Sequence, residues 1–142
     1  PQSLGEKIWK HRFRQINNFE RHLVENGTVV LKFFLNVSKD EQKRRFLDRI
    51  AQPEKNWKFG VQDVEERAHW DEYMSAYQEC FRATSTEWAP WHIIPADDKA
   101  FMRVAVAGVI CRAMDKLKLR YPEVAEDKRQ ALLDAQARLE AE

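Results

Sequence analysis

An α/β fold built on parallel strands is what the sequence predicts, and three observations predict it. Residues 28–35, TVVLKFFL, are β-branched and aromatic with almost no polar alternation, the composition of a strand covered on both faces. A second short apolar run, Trp91-His92-Ile93-Ile94, sits far down the chain. Helical patterns precede, separate and follow the two runs, so the order is helix, strand, two helices, strand, helix, and a long helical crossover implies parallel pairing. Two such strands cannot stand alone, because their remaining edges would carry unpaired backbone groups. The chain therefore reads as part of a larger sheet.

Each element has its own signal. Over residues 6–26 the apolar Trp9, Phe13, Ile16, Phe19 and Leu23 recur at three and four, an amphipathic stripe, and Asn26-Gly27 is a stop. Lys32 is the one charge inside the strand over 28–35. Ser38 with Glu41 three residues on is a capping box, so a helix is expected from Lys39 until Pro53 ends it near Ala51. A second helix is expected from Val61 or Asp63 to Arg82, with Val64, Ala68, Trp70, Tyr73, Met74, Tyr77 and Phe81 on or near one face. After the turn-rich TSTEWAP comes a strand over 92–94, then Pro95-Ala96-Asp97-Asp98 opening an apolar helix over 99–117. Asp97 or Asp98 is its expected cap. Beyond Tyr121-Pro122 the tail 123–142 is charged and Ala-rich, and reads as a peripheral helix, a partner helix or a frayed end.

Composition narrows the function classes. At 142 residues with net charge +1 the chain is the size of one domain and is not a globally polycationic binder, so any anion site must be local. Four glycines and five prolines are too few for low complexity. No run approaches the roughly 20 apolar residues of a membrane span, and no signal-peptide pattern opens the chain. A cytoplasmic protein without membrane contact is expected. Cys80 and Cys111 lack CxxC spacing, and His11, His22, His69 and His92 form no ligand cluster, so structural roles are expected for all six and a metal site for none.

Positive charge is concentrated in residues 43–59, KRRFLDRIAQPEKNWKF. Arg45 and Arg49 lie four apart on one helical face, a like-charge spacing that costs roughly 0.2–0.5 kcal/mol unless an anion or an acidic side chain compensates. Glu41 and Asp48 can take up part of that charge, leaving a solvated face with internal ion pairs. Alternatively Arg44, Arg45, Arg49, Lys55 and Lys58 grip a polyanion, the guanidiniums holding phosphate oxygens in pairs. The basic and aromatic Lys55-Asn56-Trp57-Lys58-Phe59 also suits stacking on a single-stranded nucleic acid.

Read together, IWKHRFRQINNFERHLVENGTVVLKFFLNVS, KRRFLDRIAQPEKNWKF, ERAHWDEYMSAYQ and TSTEWAPWHIIPADDK resemble the second family of polyphosphate kinases, in the same order and over about residues 5–123. These are P-loop enzymes that pass a phosphoryl group between inorganic polyphosphate and a nucleotide. The resemblance implies a partial P-loop kinase-like fold, the two strands here belonging to a five-stranded parallel sheet of the nucleoside-monophosphate-kinase type. Residues 1–122 would be the C-terminal half of that domain, with a helical lid module over 39–82. Lid cations in such enzymes close over phosphates, neutralise charge on the transferring group and exclude water.

On that resemblance Arg45 and Arg49 are the expected catalytic cations, and Arg44, Lys55 and Lys58 the expected phosphate-binding ones. Thr84, Ser85 and Thr86, with Asp97, Asp98 and Lys99, fall on loops that the family places at the nucleotide side, although turn formation and capping explain them better. For Asp63, Glu66 and Arg67, capping or ion pairing is the stronger expectation.

The family's GxxxxGK[ST] loop and acidic Walker B segment are absent from these residues: Gly5, Gly27, Gly60 and Gly108 are isolated, and none precedes Lys and Ser or Thr. The implied Mg2+ would be held mainly by the missing N-terminal half, which lies on another polypeptide, has been lost or has been cut away. Pro1-Gln2-Ser3 without an initiator Met is compatible with a processed chain. Alone, the chain is expected to be inactive. Expected partners are inorganic polyphosphate, an ADP, AMP or GDP type of nucleotide, the missing half and a second copy. The alternative is a noncatalytic polyanion- or nucleic-acid-binding module.

Overall fold

The computed structural model describes residues 6–141; Pro1, Gln2, Ser3 and Gly5, named above, lie outside the described residues. Helix α1 (Glu6–Glu25) ends where the sequence stops it, but its stripe is not the packed face throughout: Trp9, Ile16 and Phe19 are exposed, while Phe13, Asn17, Glu20 and Leu23 are turned toward the fold. Gly27 takes a left-handed φ of 85°, and the N–H groups of Gly27 and Thr28 return to the carbonyls of Val24 and Leu23 at 3.0 Å each.

Strands β1 (Lys32–Asn36) and β2 (Trp91–Pro95) form a two-stranded parallel sheet in the register Lys32↔Trp91 to Asn36↔Pro95. β1 is shorter than the expected 28–35 and begins four residues later. Its partner begins only after Pro90, which has no N–H to offer a ladder, so residues 28–31 run without strand pairing. Lys32, Phe34 and Trp91 face helices: Phe34 packs on Tyr77 and Phe81, with ring centroids 4.8 and 4.9 Å away, and Trp91 packs on Phe81 at 5.2 Å. Phe33 meets His92 at 5.4 Å.

Between the strands lie α2 (Lys39–Ala51), α3 (Pro53–Asn56), α4 (Gln62–Ala68) and α5 (Trp70–Thr84). The start and end of α2 match expectation, and Pro53 occupies the first turn of α3, where its missing N–H costs nothing. The single helix expected over 61–82 is instead two. His69, at φ −86° and ψ 21°, leaves helical geometry, and its N–H tightens back to Glu66 O at 3.1 Å. The break lets α4 reach α2 through Arg67 while α5 keeps its aromatic face on β1.

Asp98 caps α6 (Lys99–Leu117), accepting from the N–H groups of Ala100 at 2.7 Å and Phe101 at 3.0 Å. Lys118, left-handed at φ 48°, ends it. The tail resolves to a helix, α7 (Glu126–Glu140), with Leu132, Leu133 and Leu139 exposed. Among the described residues the buried core is small: Ala89, Ile94 and Ala96, together with Glu20 and Thr84. Leu35 and Ile93 on the strands stay 45 % and 47 % exposed, and the sheet has no third strand among the described residues. The fold is mixed α/β, seven helices flanking a two-stranded parallel sheet among the described residues. No described helix is long and apolar enough to cross a membrane.

Candidate functional site

The carboxyl ends of both parallel strands meet the start of α2, the edge at which open α/β sheets hold their ligands. Ser38 caps α2, its Oγ accepting from Glu41 N–H at 3.1 Å. The return arm of the capping box is not made. Ser38 N–H donates instead to Asp97 Oδ1 at 2.7 Å, which ties α2 to the loop after β2.

Glu41, freed from the cap, holds two arginines. Arg44 donates to it from Nε at 2.7 Å and Nη2 at 2.6 Å, and Arg45 from Nε at 2.7 Å. Hydrogen bonds from Arg44 and then Arg45 bring the Glu41 carboxyl from 4.5 down to about 2. Arg44 also reaches Asp48 Oδ2 at 2.9 Å, and its guanidinium is raised above its ordinary pKa, chiefly by the hydrogen bond to Glu41. Arg45 Nη2 continues to the carbonyls of Ala96 at 2.7 Å and Asp97 at 3.1 Å.

The rest of the basic stretch is differently placed. Arg49 stands over the Phe46 ring at 6.0 Å and has no carboxylate partner among the described residues. Lys55 donates to Gln52 Oε1. Lys58 lies 4.8 Å from the ring centroid of Trp57, which is 75 % exposed and donates from Nε1 to Glu54 O at 3.0 Å. Packing of Phe46 on Phe59, centroids 5.5 Å apart, folds this segment back on α2. Of the five expected phosphate cations, then, Arg44 and Arg45 are neutralised by carboxylates, while Arg49, Lys55 and Lys58 are not.

The nucleotide-side residues fall into two groups that the structure separates. Asp97, Asp98 and Lys99 sit at the carboxyl ends of the strands; Asp97 and Asp98 are engaged as above and Lys99 is exposed. Thr84, Ser85 and Thr86 lie at the opposite, amino-terminal end of the sheet. Buried Thr84 donates to Cys80 O at 2.7 Å and accepts from Trp91 Nε1 at 2.9 Å. Ser85 Oγ accepts from Trp91 N–H and Thr86 Oγ1 from Ala89 N–H, each at 3.2 Å. Packing and turn formation account for all three.

A cleft of about 320 Å³ opens between the end of β1, α2 and the α4–α5 pair. Asn36, Gln42, Arg67, Trp70, Tyr73 and Tyr77 are among its walls. Arg67 spans it, donating to Lys39 O at 2.7 Å and Gln42 Oε1 at 2.8 Å. Asp63 accepts from Gly60 N–H and Glu66 from Tyr73 O–H, so Glu66 and Arg67 are held by neutral partners rather than by the expected capping or ion pairing. The cleft itself was not legible in the sequence, because Trp70, Tyr73 and Tyr77 read only as a helix face. Among the described residues no group of three His, Cys, Asp or Glu side chains converges to hold a metal.

A family model described as Polyphosphate kinase 2 matches residues 3–122. An ADP-polyphosphate phosphotransferase of Rhodopseudomonas palustris is 49 % identical over 97 % of this chain and 48 % of its own length. A protein of Leptolyngbya boryana, described as an uncharacterized protein in the chlN 3' region, is 59 % identical over 95 % of this chain and 99 % of its own length. The crystal structure of polyphosphate kinase 2 from Arthrobacter aurescens superposes with a TM-score of 0.83 at 41 % identity, covering 92 % of this chain and 47 % of that one. The chain thus spans about half the length of the relatives described as polyphosphate-acting enzymes, and nearly all of the Leptolyngbya one.

Proposed function

This chain belongs to the polyphosphate kinase 2 family, and from that premise we propose that it is the lid-bearing C-terminal portion of a phosphotransferase that moves a phosphoryl group between inorganic polyphosphate and a nucleotide such as ADP, AMP or GDP. The observation that carries the reading is the placement of a basic helix at the carboxyl ends of two parallel strands, with Arg49 in its last turn and Lys55 and Lys58 beyond it, all three without carboxylate partners among the described residues.

In in-line phosphoryl transfer, positioning and electrostatic stabilisation supply most of the catalysis. Arg49 is the first candidate for contact with transferring or neighbouring phosphates, with Lys55 and Lys58 extending the positive track along 39–82. Mg2+ would neutralise phosphate charge when bound, held mainly by the N-terminal half that also carries the phosphate-cradling loop these 142 residues lack. What this chain contributes is closing cations, water exclusion and two strands of the sheet. Half-exposed Leu35 and Ile93 and the exposed Phe101, Val104 and Met114 of α6 support association with further strands and with a second copy. A cytoplasmic setting fits the cytosolic supply of nucleotides.

The test is an assay of the 142-residue chain with polyphosphate, ADP or AMP and Mg2+, alone and fused behind the N-terminal half of the Rhodopseudomonas relative. Turnover is expected only in the fusion, and is expected to fall when Arg49, Lys55 and Lys58 are replaced by Ala. Turnover by the isolated chain defeats the division of labour; a triple variant with undiminished activity defeats the cation assignment. The exposed Trp57 with Lys58 against its ring favours one other reading, a noncatalytic module that stacks on single-stranded nucleic acid. Single-stranded oligonucleotide displacing polyphosphate from the chain would select it.

A further inference from the structure

Arg45 and Arg49 share a helix face and a sequence-level role, yet their surroundings differ. Among the described residues every hydrogen bond of Arg45 is internal: to Glu41 Oε1 at 2.7 Å, Ala96 O at 2.7 Å and Asp97 O at 3.1 Å. Its side chain is 25 % exposed, and Glu41, which holds it, only 12 %. The same two elements are joined again by Ser38 N–H donating to Asp97 Oδ1 at 2.7 Å. One loop thus receives the start of α2 through its side chain and the second turn of α2 through two carbonyls. A guanidinium satisfied by a carboxylate and two carbonyls has few donors left for phosphate, and drawing it away would take from the carbonyls of Ala96 and Asp97 the donor that ties them to α2. Arg49, one turn on, has only the Phe46 ring.

We infer that Arg45 is a positioning residue, which with Glu41, Ser38 and Asp97 latches helix α2 to the loop between β2 and α6, and that Arg49 is the guanidinium of the pair that meets phosphate. The latch makes α2 a rigid extension of the sheet. Closure of the basic arm then pivots beyond α2, at Gln52 and at Gly60, rather than at the strand-to-helix junction before Ser38. The Arg49 half rests on the phosphotransferase reading; the latch does not.

Two measurements on the 142-residue chain separate these parts. Amide hydrogen exchange reads the latch: Arg45→Ala is expected to speed exchange at Ser38 and Gln42 by about tenfold, the scale of one charge-assisted hydrogen bond, while Arg49→Ala leaves it unchanged. The salt dependence of binding to linear sodium polyphosphate reads phosphate contact: Arg49→Ala is expected to reduce the log–log slope by about one, and Arg45→Ala to leave it unchanged. Arg45→Lys keeps the charge but not the fork, so it should speed exchange as alanine does and serves if Arg45→Ala does not fold. An Arg45→Ala slope reduced like that of Arg49→Ala, with exchange at Ser38 unaltered, overturns the inference. If the unmodified chain binds no polyphosphate, the phosphotransferase reading fails for this segment while the exchange data still decide the latch.

Discussion

Lys32 Nζ lies 2.7 Å from Glu20 Oε2, and the two side chains are 10 % and 11 % exposed. The lysine that interrupts an apolar strand is therefore the centre of a covered polar node: it also donates to Thr84 O at 2.6 Å and sits 5.3 Å from the Trp91 ring centroid. Breaking such a pair leaves one charge covered without its partner, which costs roughly 3–5 kcal/mol, whereas replacing both ends by apolar groups is close to neutral. Lys32→Met alone and Glu20→Leu alone should each lower the urea midpoint strongly. The double variant should recover most of the loss. Two single losses that simply add would mean that the ion pair is not the source of the cost.

Thr84 is fully buried, and its hydroxyl links Cys80 O to Trp91 Nε1. Thr84→Val preserves shape but leaves the indole N–H without an acceptor, at a cost of about 1–3 kcal/mol. Thr84→Ser keeps the hydroxyl and should lose less. Urea denaturation of the two variants checks the order, and a serine variant weaker than the valine one would contradict it.

These two nodes mark the limit of what sequence order reveals. Period and caps are local, so α1, α2 and α6 could be read nearly to the residue from the Trp9 to Leu23 stripe, Ser38, Pro53 and Asp98. The need for a larger sheet was legible from two buried-type strands, and Leu35 and Ile93 remain half exposed. What depends on distant partners was not legible. Lys32 looked like a flaw because Glu20 lies on another element. Thr84 looked like a loop residue because its indole partner arrives seven residues later on a strand. His69 breaks a helix whose apolar pattern continues through it, and Arg45 looked available until the loop carbonyls at 96 and 97 were brought to it.

Tyr73 donates its hydroxyl to the Glu66 carboxylate, and this hydrogen bond, followed by the Glu66 charge, raises the phenol above its ordinary pKa of 10.0. A raised pKa means that the contact stabilises the fold below pH 10 and is lost as pH rises through the folded value. Ultraviolet titration should show one of the three tyrosines ionising late. Glu66→Gln should return it toward the ordinary range, and Tyr73→Phe should remove the late component. An unshifted titration in the unmodified protein would show that the contact does not persist in solution.

Glu41 gives the sharpest pH signature. Its carboxyl titrates at about 2 rather than 4.5 because Arg44 and Arg45 both donate to it, so folding favours the ionised form. The folded value lies below the unfolded one; the resulting stability is complete above pH 4.5 and disappears as pH falls toward 2. Between those limits the unmodified chain should lose stability faster than Glu41→Gln, and above pH 4.5 the difference between the two should be constant. Asp98, whose role is to cap α6, offers the contrast: removing it as Asp98→Ala should cost about 1 kcal/mol and leave the latch on α2 in place. A carboxyl-carbon titration of Glu41 near 4.5, or an identical acid profile for the Gln variant, would mean that the two arginines are not held in solution, and the restraint on α2 would fall with them.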